Sequence, residues 1–330
     1  MKEPTPVLAG PKDQRTFVRN RPRLTLALIM VVSLLLLLSI AEISLRLFLG
    51  LGDPLLYQSS PLYGYRPQSN QFVRRVNGAE IRVNNLGLRA EEDWDASTEN
   101  KILFMGNSVT FGGTYMSNQD LFSSLAVRNL KGYHSGNAGV NGWGVENMHA
   151  LIVDYGFLPA SVYVTVLQDM DFERGFSKFA GQPFWSRKPR FALEELLAYF
   201  LYSKRLDMQE GHDRFVTSVE REKAIERSVF KLKELDEFLR TSGYLHLIYF
   251  SSDTHQLLDG EPSNPLVARY LQRYGLQATF IRDRPEIAEL SNDEKAALFH
   301  DWNHLDQGGH ILWGKIIGSD LKELLEKHDE

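Results

Sequence analysis

Residues 101–113 read KILFMGNSVTFGG: an apolar run that stops at Gly106-Asn107-Ser108 and enters a glycine-containing turn. Ile102 to Met105, bounded by a charge and a glycine, suit a short strand buried on both faces of a parallel sheet. A serine where such a strand stops has two readings. It caps the next helix, a common place for serine, or it is a nucleophile at the carboxyl edge of the sheet, where turns into helices present unpaired N–H groups.

The same texture recurs along the chain. VYVTVL (162–167) and LHLIYF (245–250) are apolar and partly β-branched, and helical patterns separate them. Ala224 to Leu239 places Ile225, Val229, Leu232, Leu235 and Leu239 at steps of three and four, the spacing of a helix that covers a sheet. A last helix, about Gly309 to Lys327, carries Ile311, Leu312, Ile316, Ile317, Leu321 and Leu324 on its apolar side. This alternation predicts a three-layer α/β/α domain around a central, mainly parallel sheet, spanning about residues 100–330.

Two other segments are less regular. Residues 49–99 hold the turn clusters GDP, SSP, RPQSN and NNLGL, with one strand pair near Phe72 to Val76 and Glu80 to Val83; they read as a membrane-proximal linker packed on the domain edge. An insert at about 172–206 interleaves Phe176, Phe179, Phe184, Trp185, Phe191, Tyr199, Phe200 and Tyr202 with Lys178, Arg187, Lys188, Arg190 and Lys204. It is either a packed helical cap or, since aromatics and cations share the stretch, a carbohydrate-binding rim or bilayer-facing lid.

Composition removes several classes. With 330 residues, 43% apolar and 24% charged, the chain can bury one sizeable core. A net charge of −5, without zinc-spaced Cys/His clusters or aromatic-basic motifs, makes nucleic acid an unexpected partner. There is no cysteine, so neither disulfide nor thiolate chemistry is available.

Leu24 to Ala41 is 18 residues long and free of charge. At about 1.5 Å per residue it nearly spans a hydrocarbon core of about 30 Å. Lys2, Lys12, Arg15, Arg19, Arg21 and Arg23 precede it against only Glu3 and Asp13, which predicts a cytoplasmic tail over residues 1–23, a signal anchor over 24–48 and an extracytoplasmic remainder. Ser39-Ile40-Ala41 also resembles a signal-peptidase site, but the long n-region and the apolar residues beyond Glu42 favour an uncleaved anchor. Glu42 and Arg46, four apart, read as a helix-end pair.

Near the other end lies FHDWNHLDQGGH (299–310), with Asp301 three residues before His304. On a helical turn the two would share a face, letting the carboxylate hold one imidazole nitrogen while the other faces Ser108. That is the arrangement of nucleophile, base and orienter. His300, His310 and Asp306 flank it, but their spacing matches no ligand motif, and no metal or other cofactor is expected. Trp143 and Trp302 each follow a proposed site residue and read equally as pocket lining or core.

Gly-Asn-Ser at one end of an α/β domain and Asp-x-x-His at the other resemble the blocks of the SGNH (GDSL-like) hydrolase superfamily. The resemblance covers about residues 101–327, and VNNLGLRAEE (83–92) is similar to the segment that precedes the domain in exported, membrane-anchored members. It implies that Ser108 is the nucleophile, His304 the base and Asp301 its orienter. Asn137-Ala-Gly-Val-Asn-Gly142 resembles the second block, with the Gly142 N–H an oxyanion donor beside that of Ser108. Two positions depart from the family. Asn107 stands where members usually have Asp. VTVLQDMDFERG replaces the usual Gly-x-Asn-Asp, and ungapped spacing places Asp169 at the oxyanion Asn, where a carboxylate would repel the charge that forms; Gln168 is the alternative amide.

The resemblance implies a serine esterase that removes O-acyl groups, O-acetyl foremost, from an envelope or exported polysaccharide. The same triad would serve an O-acetyltransferase. A decayed oxyanion site would instead leave a membrane-tethered glycan-binding or assembly subunit.

Overall fold

The computed structural model describes residues 21–75, 78–178, 185–209 and 217–329. Lys2, Lys12, Arg15, Arg19, Val76, Phe179 and Phe184 fall outside these residues, as do the side chains of Tyr202 and Lys204. Among the described residues there are ten α-helices, α1 to α10. They are α1 (Pro22–Leu49), α2 (Ser108–Phe111), α3 (Phe122–Val127), α4 (Val145–His149), α5 (Ala192–Gln209), α6 (Ser218–Thr241), α7 (Pro265–Arg273), α8 (Pro285–Ala288), α9 (Asn292–Ala296) and α10 (Gln307–Asp329).

The central sheet is built from β5 (Lys101–Gly106), β6 (His134–Asn137), β7 (Val162–Leu167), β8 (Leu245–Phe250) and β9 (Thr279–Phe280). Its order is β6-β5-β7-β8-β9, and every neighbouring pair is parallel. Along β5 the side chains alternate: Leu103 and Met105 join the core under α4, α6 and α7, while Ile102 and Phe104 join the core under α3 and α10. The three-layer α/β/α expectation holds. Ile225, Val229, Leu232, Leu235 and Leu239 of α6 are all fully buried. On α10 the pattern needs one correction: Ile311 points outward at 54% exposure, and Leu325 is buried where Leu324 was expected.

The chain runs β5 to β6 on one side of the sheet, then crosses to β7 on the other. In an open parallel sheet that reversal leaves a crevice at the carboxyl ends of the strands. Ser108 begins α2 at the end of β5, directly at this point. Gly106 lets the turn close, because a Cβ there would lie 2.0 Å from Thr110 Oγ1 and 2.5 Å from the Val166 carbonyl.

Residues 51–94 do more than line an edge. Two antiparallel hairpins form there, β1 (Tyr57–Ser60) with β2 (Gly64–Pro67) and β3 (Gln71–Arg74) with β4 (Glu80–Val83). Tyr57, Tyr63, Tyr65, Ile81, Leu88 and Trp94 pack into the main core. Arg89 bridges Val83 on one side and Asn137 on the other, extending the sheet beyond β6.

α1 is long and apolar enough to cross a membrane or to serve as a signal sequence, and none of its spanning residues is buried.

Candidate active site

The first and last motifs meet. His304 Nε2 lies 2.8 Å from Ser108 Oγ, and His304 Nδ1 lies 2.7 Å from Asp301 Oδ2. With Nδ1–H donating to the carboxylate, Nε2 is the acceptor for the serine hydroxyl. The loop is not the helical turn the spacing suggested. Asp301 Oδ1 instead accepts the N–H groups of Asn303 (3.0 Å) and His304 (2.8 Å), a side-chain-closed turn that leaves Oδ2 for the imidazole. Partial burial pushes the Asp301 carboxyl up, but those two N–H groups and the imidazole outweigh it and hold the group below its usual range.

Ser108 starts α2 because Asn107 caps it: Asn107 Oδ1 accepts the Val109 N–H at 2.8 Å. Its Nδ2 donates to Gln168 Oε1 at 3.0 Å and to both oxygens of Asp171 at 2.8 and 3.0 Å. The Asn107 amide therefore has defined partners. The acid stands on the other side of the hydrogen bond, at Asp171, and an amide at 107 is what such a partner needs. Asp171 is fully buried, and burial pushes its carboxyl up to about 6 despite the Arg174 guanidinium 2.9 Å away. Arg89, buried, holds the other flank; it donates to the carbonyls of Phe111, Gly113 and Met116 and to Asn118 Oδ1, fixing the loop that carries Gly113 to Tyr115.

A cavity of about 620 Å³ surrounds Ser108 and His304. Gly142 lines it with φ +78°, a conformation that favours glycine. As the first residue of α2, Ser108 has an N–H without an intrahelical carbonyl to meet it. Asn141 lines the cavity as well, and its side-chain Oδ1 has no hydrogen-bond partner among the described residues. The sequence offered one signal for Asn141, its place beside Gly142 in the second block. Trp302, 49% exposed, Trp185, Tyr199 and Tyr115 add aromatic surface, with Tyr115 stacked on His300.

The remaining candidates sit elsewhere. Gln168 and Asp169 line a separate cavity of about 520 Å³, and Met170 forms the wall between the two. Asp169 Oδ2 accepts from Gln256 Nε2 and the Asn264 N–H, both at 2.8 Å, and burial pushes its carboxyl up. The expected oxyanion roles of Asp169 and Gln168 do not fit these positions. β7 ends at Leu167 and the chain coils into a short 3-10 turn from Asp169 to Phe172, which sets the Gln168 and Asp169 side chains at the second cavity. Trp143 is wholly buried core, while His310 is buried with Nδ1 accepting the Phe122 N–H at 3.2 Å.

No family model and no curated protein matches the chain. Among solved structures it is similar to a lipolytic protein of the G-D-S-L family from Desulfitobacterium hafniense, at 9% identity over 67% of this chain and 99% of that one, with a TM-score of 0.39. It is also similar to an acetyl xylan esterase, at 13% identity over 67% and 98% of the two chains, with a TM-score of 0.41. A two-domain esterase active on acetylated mannans aligns at 14% identity over 68% of this chain and 50% of that one, with a TM-score of 0.41. At this distance the chemistry is to be read from the chain's own side chains.

Proposed function

We propose that the chain is a serine esterase of the SGNH type, held by α1 in a cytoplasmic membrane with its domain outside the cytoplasm, and that it removes O-acetyl groups from a polysaccharide. The reading rests on one observation: residues 196 positions apart put a hydroxyl 2.8 Å from an imidazole that a carboxylate orients. Ser108 Oγ attacks the acyl carbon as His304 Nε2 takes its proton. The oxyanion forms near the N–H groups of Ser108 and Gly142, with the Asn141 amide as third donor. His304 then returns the proton to the departing sugar oxygen as its bond to the acyl carbon breaks, releasing the sugar as a free hydroxyl, and Ser108 keeps the acyl group. A water deprotonated by the same imidazole cleaves this ester, giving acetate and free serine. Aromatic faces at the rim, Trp302 foremost, suit the apolar faces of a pyranose.

The test is hydrolysis of an acetylated oligosaccharide by the full chain in detergent. Ser108→Ala and His304→Ala are each expected to lose ~10³-fold or more in kcat. Equal rates in all three proteins would remove the enzyme reading.

A further inference from the structure

Helix α5 has two unlike faces. Inward, Ala192 and Glu195 are fully buried, and Tyr199 lines the Ser108 cavity. Glu195 pairs with buried Arg75 at 2.6 Å and accepts the Gly52 N–H at 2.6 Å, while Arg75 donates to the Gly50 carbonyl at 2.7 Å. Arg75 also lines the cavity, so a single buried ion pair joins the end of α1 to the cavity wall. Outward, Leu196, Leu197, Phe200 and Leu201 are 41 to 58% exposed, and Phe191, just before the helix, is 59% exposed. At about 100° per residue these four leucine and phenylalanine positions fall within one arc of about 140°.

A contiguous apolar face of this kind marks an interface. Its start is fixed to α1: the Ala192 and Leu193 N–H groups donate to the Glu42 carboxylate at 2.8 and 3.2 Å. Glu42 lies on the helix whose leucines from Leu24 to Leu38 are all exposed. Arg187 and Arg190, both exposed, precede Phe191 in the chain, and cations close in sequence to an apolar face suit lipid phosphates.

We propose that the outer face of α5 lies in the headgroup region of the bilayer that α1 crosses, which fixes the wall of the Ser108 cavity at the membrane surface. This rests on α1 being a membrane anchor. A glycan tethered at that surface then meets Ser108 at a raised local concentration.

The chain has no cysteine, so one introduced thiol is unique. The full chain is reconstituted in vesicles of phosphatidylethanolamine and phosphatidylglycerol, with a bimane label at Leu36→Cys, Leu197→Cys or Lys322→Cys and nitroxide-bearing lipids as quenchers. Labels at 36 and 197 are expected to be quenched at least about threefold more than the label at 322 on α10. A label at 197 quenched no more than that at 322, while 36 is quenched, overturns the proposal and leaves the anchor standing. If 36 is not quenched, the anchor itself fails. Disulfide-linked pairs of Leu197→Cys chains without quenching assign the face to a second copy and also overturn it. Oligosaccharide hydrolysis by the unlabelled chain reports on the enzyme reading alone.

Discussion

Two cavities open side by side beyond the carboxyl ends of β5, β7 and β8, and Met170 divides them. One is lined by a hydroxyl, an imidazole and a carboxylate in hydrogen-bond sequence. The other is lined by Asp169, Glu173, Asp253 and Glu261 with Gln168, Gln256 and Asn264, and has neither serine nor histidine among its lining residues. They differ because consecutive side chains at the end of one strand part company. Met170 lines both cavities, whereas Gln168 and Asp169 line only the second, with Gln168 Oε1 accepting from Asn107 Nδ2 beside Ser108. The Asp169 carboxylate, which looked ruinous in the linear sequence, lines the second cavity and accepts from Gln256 and the Asn264 N–H there.

That contrast can be tested at four points. The largest effect is expected at the serine's cavity, where Asn141→Ala should lower kcat for an acetyl ester by ~10²-fold or more while KM moves little, as for loss of one oxyanion donor. An unchanged kcat would leave the two backbone N–H groups to act alone.

Next comes the wall behind Ser108. Asn107→Asp sets two buried carboxylates against each other and should cost about 2–4 kcal/mol in chemical denaturation. Adding Asp171→Asn restores donor to acceptor and should recover most of that loss. Failure of the double variant to recover would mean the pair is not coupled.

A smaller effect concerns pH. Because burial raises the Asp171 carboxyl to about 6, the folded chain keeps this proton where the unfolded chain has lost it. Its contribution to stability therefore falls as pH rises from about 4 to about 6, by an amount of order 1–3 kcal/mol. Comparing denaturation midpoints across that window, Asp171→Asn should lack this decline relative to the parent chain.

The smallest effect is expected in the second cavity. Asp169→Asn should change hydrolysis of a small acetyl ester by less than about threefold, against the ~10²–10³ typical of an oxyanion position. A marked acceleration would return the carboxylate to the serine's side of Met170.

Legibility in the sequence followed how local the physics was. β5, β7 and β8 announced themselves because a strand buried on both faces must be apolar throughout. β6 did not: His134-Ser135-Gly136-Asn137 reads as a turn. Its small residues are there because Leu88 and Trp94 close over them, and a Cβ on Gly136 would lie 2.4 Å from the Trp94 ring. β9, two residues long, carries no periodicity at all. Within the site, Ser108, Asp301 and His304 were readable because each sits in a short motif with its own local geometry. The match of Asn107 to Asp171 was not, since the partners are 64 residues apart and either residue alone looks like a defect. The outward apolar face of α5 was half visible as an aromatic-rich insert, but which residues faced outward depended on where Glu195 found its arginine.

Glu42 belongs to the apolar helix by position and to α5 by hydrogen bonding. Trimming the chain to a water-soluble fragment that starts after Leu49 therefore does more than discard a tether. It leaves the first turn of α5 without its cap, next to Glu195 and Tyr199. A fragment that retains Glu42 and the rest of that last helical stretch would keep this join whole.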